Sequence, residues 1–231
     1  MGWVLFALLL YSAYYPVGLV SEDLPFYTPT TLIDTALPLR PAWLYPYSMV
    51  LYVGMLPVFV VRHRGLFRRV ALAYMTLELV SLATFLLLPV QMIGRVVPEP
   101  TSFANWGISL THWLDTPSNC LPSLHVAGTT LAALCCFKVD RLTGSIAGVL
   151  AVVISLSTLL VKQHYLVDLV TGGLLAWACW RIFVAPFDAT DLSTEDLRLN
   201  RTWTLVPVAA WLATVAGLLA LYTSGWVPPA G

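Results

Sequence analysis

The chain has 231 residues, 58% hydrophobic and 10% charged, with 12 Lys and Arg against 12 Asp and Glu; its mean hydropathy is +0.80. A soluble domain carries about a quarter charged residues, so this composition excludes an ordinary soluble globular class, and the zero net charge excludes nucleic acid as a partner. The apolar residues form blocks of about 20, the length that spans the roughly 30 Å hydrocarbon core. In lipid only a helix pairs all its backbone groups within such a block. The expectation is an all-α, polytopic membrane helical bundle with six or seven transmembrane helices, a single membrane domain over residues 1–231 embedded in the bilayer.

In chain order the expected helices are about 2–20, 42–61, 70–93, 121–137, 143–161, 166–185 and 204–222. Residues 3–20, WVLFALLLYSAYYPVGLV, have no basic leader and no A-x-A site, so they read as a retained first span. The loop 21–41 mixes Pro, Thr and apolar residues, and reads equally as an amphipathic cover at the interface or as a plain link. Residues 94–120 read as a loop, and the polar stretch 186–202 as a linker with a short amphipathic helix. Cys120, Cys135, Cys136 and Cys179 lack metal-ligand spacing and read as small apolar filler, not a disulfide framework.

If the helices alternate, nine cations fall on one side: four Arg in RHRGLFRR at 62–69, then Lys138, Arg141, Arg181, Arg198 and Arg201. Arg40, Arg95 and Lys162 are the three on the other side. The positive-inside rule assigns the richer side to the cytoplasm and turns 21–41, 94–120 and 162–165 outward. Two stretches on that outer side carry chemistry. In KQHYLVD, 162–168, His164 and Asp168 are four apart and share a helix face. A carboxylate there fixes the imidazole tautomer and leaves the other nitrogen as a nucleophile or base. In CLPSLHVA, 120–127, Pro122 suits a first helical turn. Ser123 and the amides around it make an anion-receptive helix start. A protonated His125 there can act as a general acid. Each stretch alone also reads blandly, as a structural His–Asp pair or as a turn with an interfacial His. Together on one surface they supply a phosphate cradle, a nucleophile, a proton donor and cations, which is what phosphoryl transfer needs. The only nearby carboxylates are Asp168 and Asp115, so no metal site is expected.

PSLH at 122–125 and S-x6-H-Y-x2-D at 157–168 resemble the type-2 phosphatidic acid phosphatase superfamily, whose members carry P-S-G-H and S-R-x5-H-x3-D motifs on two helices. The resemblance covers about residues 85–180, the catalytic core. Leu124 stands in place of the motif glycine and Thr158 in place of the motif arginine. The upstream K-x6-R-P motif is not intact, and Arg95, with Pro98 displaced, is its closest remnant. These departures resemble the branch that includes inositol phosphorylceramide synthase and sphingomyelin synthase. LDTPSNCLPSLHVA is similar to that branch's bacterial members, which implies a bacterial inner (plasma) membrane with the site facing outward.

The resemblance implies that His164 attacks phosphorus to form a phosphohistidine, that Asp168 orients it, and that His125 protonates the leaving alcohol and then activates the incoming water or alcohol. It implies that Ser123 contacts phosphate, that Lys162 replaces the lost arginine's charge, and that Arg95 is a second cation. No cofactor is implied, and the partner is a lipid phosphate substrate. The resulting expectation is a metal-independent membrane lipid phosphatase or phosphotransferase. The alternative is a head-group transferase with a ceramide-, diacylglycerol- or inositol-type acceptor. A non-enzymatic transporter or assembly protein is the lesser alternative, for which Gly172-Gly173, as a helix break, is the one hint. Outside the motifs, His112 and Asp115 read as loop residues or as shapers of the acceptor path. Asn119 reads as a turn or cap residue, Glu78 as a neutral hydrogen-bonded group inside a span, and His63 as solvated.

Overall fold

The computed structural model describes residues 12–193, 195–196 and 201–229. Among them the chain is helical, and isolated bridges pair Tyr27 with Val90 and Val90 with Asn119 across loops. This is the all-α bundle that the composition implies.

The first expected helix appears as α1 (Tyr14–Glu22); its residues 2–11 lie outside the described set. Then comes α2 (Leu32–Ala36), started by a capping box in which Thr31 and Asp34 satisfy each other's amides. The expected helix 42–61 is jointed into α3 (Leu44–Tyr47), α4 (Val50–Gly54) and α5 (Leu56–Val60). Prolines explain the joints. Pro46 and Pro57 have no N–H to donate, and beside them the bonds tighten: Met49 N–H goes to Pro46 O at 3.1 Å and Val58 N–H to Met55 O at 3.0 Å. Gly54 O, released by this shift, receives the hydroxyl of Tyr74 at 2.8 Å.

The third expected helix, 70–93, is shifted towards the N-terminus. It is α6 (Arg64–Leu87), with Nδ1 of His63 capping Leu66 N–H at 3.3 Å. It stops because Leu88 precedes Pro89 and leaves the helical region. The basic stretch 64–69 is thus helical, and His63 is a cap instead of a solvated side chain. Within the expected loop 94–120 lies α7 (Phe103–Leu114), started by the Ser102 side chain on Asn105 N–H. At 12 residues it is too short to cross a bilayer.

Three further helices come close to expectation: α8 (Leu124–Val139), α9 (Arg141–Leu160) and α10 (Leu166–Cys179), which runs on through a wider turn to Val184. Asp140 alone joins α8 to α9, closing the first and capping the second through Thr143 N–H at 2.7 Å. After a turn at Ala189–Asp191 come α11 (Arg201–Thr204) and α12 (Val206–Thr223); residues 194 and 197–200 of the expected linker helix lie outside the described set. Four segments are long and apolar enough to cross a membrane: Arg64–Leu87, Arg141–Leu160, Leu166–Val184 and Val206–Thr223. The apolar α8 (Leu124–Val139) is shorter than these four.

The main core joins α6, α8 and α10 through Leu66, Val70, Leu77, Leu131, Cys135 and Ala176. Antiparallel packing sorts the ends. At one end Arg69 donates to Phe183 O and Lys138 to Ala185 O. At the other, the start of α8, the end of α9 and the start of α10 meet. There α8 and α10 approach closely: a Cβ on Gly172 would stand 2.6 Å from Ser123 O, while one on Gly173 would meet nothing within 4 Å. Gly172 therefore permits a backbone contact, and α10 runs unbroken through both glycines. Gly172 is thus a packing feature and Gly173 stands in open space, and the unbroken helix removes the hint of a transporter-type helix break.

Candidate active site

Three local structures place the motif residues. Ser123 is the N-cap of α8, its Oγ accepting Val126 N–H at 3.3 Å. Pro122 stands ahead of the cap, outside the first turn where the sequence spacing had it. His125 is the second residue of α8. At the end of α9, Thr158 O accepts the amides of Gln163 and His164 at 2.9 and 3.3 Å. Lys162, with φ of 59°, turns the chain back in the left-handed conformation that closes many helices. Asp168 lies in the first turn of α10, and its Oδ2 accepts Tyr165 N–H at 2.9 Å. Asp168 O in turn accepts Ser123 N–H at 3.1 Å, so the starts of α8 and α10 are joined by backbone as well as by packing.

This brings His125, His164 and Asp168 together. Nδ1 of His125 is 3.0 Å from Nε2 of His164, and Nδ1 of His164 is 3.4 Å from Asp168 Oδ2. His164 is 3% exposed and Asp168 fully buried; Asp168 Oδ1 has no hydrogen-bond partner. A carboxylate only accepts, so the proton of His164 sits on Nδ1 and its lone pair on Nε2, facing His125. Buried Ser123 adjoins this cluster through its cap and backbone.

The two candidate cations stand further off. Arg95 donates to Asp115 O, Thr116 O and Gln163 Oε1 at 2.9, 3.0 and 2.7 Å, with its Nε unpartnered. Gln163 thus ties it to the residue next to His164. Lys162 donates from Nζ to the carbonyls of Asp34 and Leu37. Asp34 also caps α10, its Oδ1 accepting Leu166 N–H at 2.8 Å. The 30–39 segment is thereby strapped across the site. Between it and loop 92–96 opens a cleft of about 300 Å³ that reaches His164, with apolar walls from Leu37, Leu39, Met92, Ile93, Val96 and Leu159.

Around this centre the side chains hold structure. Nε2 of His112 lies 3.2 Å from Val161 O, and burial with Arg95 nearby pushes its pKa down to about 4, so it is neutral near pH 7. Asp115 accepts Tyr14 OH at 2.9 Å, and its burial raises its pKa against the pull of Arg95. Asn119 donates to Tyr14 O at 2.8 Å. Glu78 is buried in α6 with Oε1 unpartnered. For a metal, Cys120, His164 and Asp168 can each bring one ligand atom within 4.8 Å of the others. The fit is poor for a resident ion. Burial, with the Asp168 charge beside it, pushes the Cys120 thiol up, and its Sγ already donates to Pro117 O at 3.2 Å. Nδ1 of His164 is also already turned to Asp168.

Sequence reasoning missed Tyr47, Gln163 and Asp34. Tyr47 OH lies 2.9 Å from Nε2 of His125, and nothing in the apolar stretch around Tyr47 marks it. Gln163 stood inside a quoted motif, and its adjacency to His164 was the available signal. The Thr31–Asp34 spacing announced a cap, but only for its own helix.

A family model described as the PAP2 superfamily matches residues 30–182, more than half of the chain. The match begins well ahead of 85, taking in the strap over the cleft and Tyr47. No curated protein and no solved structure gives a match. A match of that extent, over a bundle that brings both motif histidines within hydrogen-bonding distance, shows that this chain belongs to the PAP2 superfamily, whose members generally catalyse the hydrolysis or transfer of phosphate esters.

Proposed function

We propose that this chain is a metal-independent membrane enzyme that moves the phosphoryl group of a lipid phosphate or phosphodiester through a phosphohistidine on His164. The observation that carries the reading is the 3.0 Å contact of Nδ1 of His125 with Nε2 of His164, backed by Asp168 on the far nitrogen. Nε2 of His164 attacks phosphorus while Asp168 steadies the positive charge that grows on the ring. His125, protonated, gives a proton to the leaving lipid oxygen, then takes one from the water or alcohol that resolves the intermediate. Arg95 and Lys162 hold carbonyls and an amide, and neither is in a salt bridge among the described residues. No carboxylate pair neutralises them, so their charge adds to the field that acts on the transferred oxygens. Substrate has to part the two imidazoles first, because reacting atoms approach to roughly 3–3.5 Å before bond making and a phosphoryl group does not fit in the present gap.

The apolar walls of the cleft suit an acyl chain, which favours a lipid phosphate. The burial of His164 and Asp168 favours the second reading, a head-group transferase, because a site with little access to water suits a bilayer alcohol of the ceramide, diacylglycerol or inositol type. Leu124, Thr158 and the missing upstream motif support the same branch. The deciding experiment supplies a phosphate-labelled lipid with excess EDTA, with and without each alcohol. From a lipid monophosphate, labelled inorganic phosphate alone means phosphatase and a new phosphomonoester of the added alcohol means transferase; from a phosphodiester donor the matching products are the free phospho-head-group and a new phosphodiester. Loss of all activity in EDTA, restored by one divalent ion, refutes the metal-free mechanism.

Two further outcomes are expected. Gly172→Val forces Ser123 away from α10 and should lower turnover at least roughly tenfold, since displacements near 1 Å at a catalytic centre cost about that or more. Gly173→Ala, in open space, should stay within about twofold of wild type, as surface changes do. Equal effects from both substitutions would contradict the close-contact account. We also propose that the enzyme sits in a bacterial inner (plasma) membrane with its site outward, on the Arg and Lys distribution. Cys120, 1% exposed, is unsuited as a probe. Exposed Glu99 and Arg64 serve instead. An impermeant thiol reagent should label Glu99→Cys and spare Arg64→Cys on sealed right-side-out cells, and the opposite labelling reverses the orientation.

A further inference from the structure

Tyr47 belongs to neither motif, yet it makes the most direct contact with the proposed acid. It ends α3, 78 residues before His125, and is 7% exposed. Leu44, Ile108 and Val161 hold it in a small apolar cluster of its own. Its ring stacks on the imidazole of His125, centroids 5.1 Å apart and planes at 30°. Its hydroxyl meets Nε2 of that ring at 2.9 Å.

The four groups form one line: Tyr47 OH, His125, His164, Asp168. Their directions follow from the far end. The carboxylate accepts, so Nδ1 of His164 donates to it and, in a neutral ring, Nε2 accepts. Nδ1 of His125 must then donate to His164. With that ring also neutral, its Nε2 carries a lone pair, which the phenol donates to. In the resting site His125 is held at both nitrogens. When a phosphoryl group parts the imidazoles, the contact with His164 is lost. The Tyr47 hydroxyl is then the remaining side-chain hydrogen bond of His125 among the described residues.

We propose that Tyr47 is a positioning residue for the general acid: its hydroxyl holds Nε2 of His125, so that Nδ1 is the nitrogen that meets the leaving oxygen. The inference rests on reading His164 as nucleophile and His125 as proton donor. Protons balance as follows. As substrate parts the imidazoles, Nε2 of His125 takes one proton from solvent, and the ring enters the reaction as imidazolium with that N–H donated to the Tyr47 oxygen. As the N–P bond to His164 forms and the P–O bond to the lipid breaks, the proton on Nδ1 passes to the leaving oxygen, and the alcohol departs. The ring is now neutral with Nε2–H still on Tyr47. Its Nδ1 lone pair takes a proton from the incoming water or alcohol as the new O–P bond forms and the N–P bond breaks. Tyr47 neither gains nor loses a proton; its hydroxyl only turns from donor at rest to acceptor in the cycle.

Tyr47→Phe keeps the ring and its stacking and removes the hydroxyl. On a lipid phosphate its kcat should fall roughly 10- to 100-fold with KM within about threefold, because general acid assistance is impaired and binding is not. On an aryl phosphate, whose leaving group needs little protonation, the first step, read as the burst of released phenol, should stay within about threefold of wild type. In a His125→Ala background it should cost nothing further on the lipid substrate, since it acts through that ring. Equal losses of the first step on both substrates, or additive losses in the double variant, make Tyr47 a structural residue and overturn the proposal, as does no loss on the lipid substrate. The reading beneath it fails separately. If wild type passes phosphate from neither substrate to water or to any of the added alcohols, or His164→Ala matches wild type, the assigned chemistry falls and the proton role falls with it. If wild type is active and His164→Ala is not, the outcome for Tyr47→Phe judges this proposal alone.

Discussion

His164→Ala removes the proposed nucleophile and should bring turnover to assay background, with no covalent phosphoenzyme on any substrate. The expectation follows from position. Nε2 of His164 carries the lone pair because Asp168 holds the proton on Nδ1, and the cluster offers no second group in the same place: the neighbouring imidazole of His125 is held by Tyr47 at its far nitrogen. Asp168→Asn should give an intermediate loss. The amide oxygen can still accept Tyr165 N–H and keep the helix start, while the charge that stabilises the imidazolium is gone. Rapid acid or base quench after mixing with labelled substrate separates these cases, since a phosphohistidine survives base and is lost in acid. Label retained on His164→Ala would exchange the roles of the two histidines.

His125→Ala should lower turnover on a lipid phosphate by roughly 10²–10⁴-fold, the usual worth of positioned acid–base help, while leaving His164 able to attack. On an aryl phosphate the first step should recover, because departure of that leaving group no longer waits for a proton. The second step still lacks a base, so labelled phosphate should accumulate on His164 as a trapped intermediate. Adding alcohols to the trapped species reports which acceptor the site admits. Loss of the first step on the aryl substrate as well would mean that His125 holds the phosphate or the fold, not the leaving-group proton.

These expectations rest on two kinds of information. The pairing of His164 with Asp168 was legible from their separation of four, although His164 stands two residues ahead of α10 and meets Asp168 from outside the helix, not across one of its turns. The ends of α8, α9 and α10 were close to legible for the same local reason. So were two signals that went unused, Pro89 as the stop of α6 and Ser102 as the cap of α7, with Trp106, Leu110, Trp113 and Leu114 spaced along one face. Apolar block length and the scarcity of charge were enough for the membrane class, since both are properties of composition.

Packing alone decided which helix ends share a site. Nearly uniform apolarity gives a span such as α8 no polar face to mark its orientation, so the sequence has no periodicity that says which residues meet. His125 and His164 come together because Gly172 lets the start of α8 rest on α10. Tyr47, Asp34 and Gln163 gain their roles through contacts spanning 78, 132 and 68 residues. Lys162 and Arg95, as isolated letters, were two outward cations; in the fold each first satisfies part-buried carbonyls, the strap at 34–37 and the loop at 115–116. Spacing within a turn is set by backbone geometry, and so it can be read along the chain. Meetings between distant segments are set by which surfaces fit and which buried polar groups need partners, and those conditions exist only once the bundle has formed.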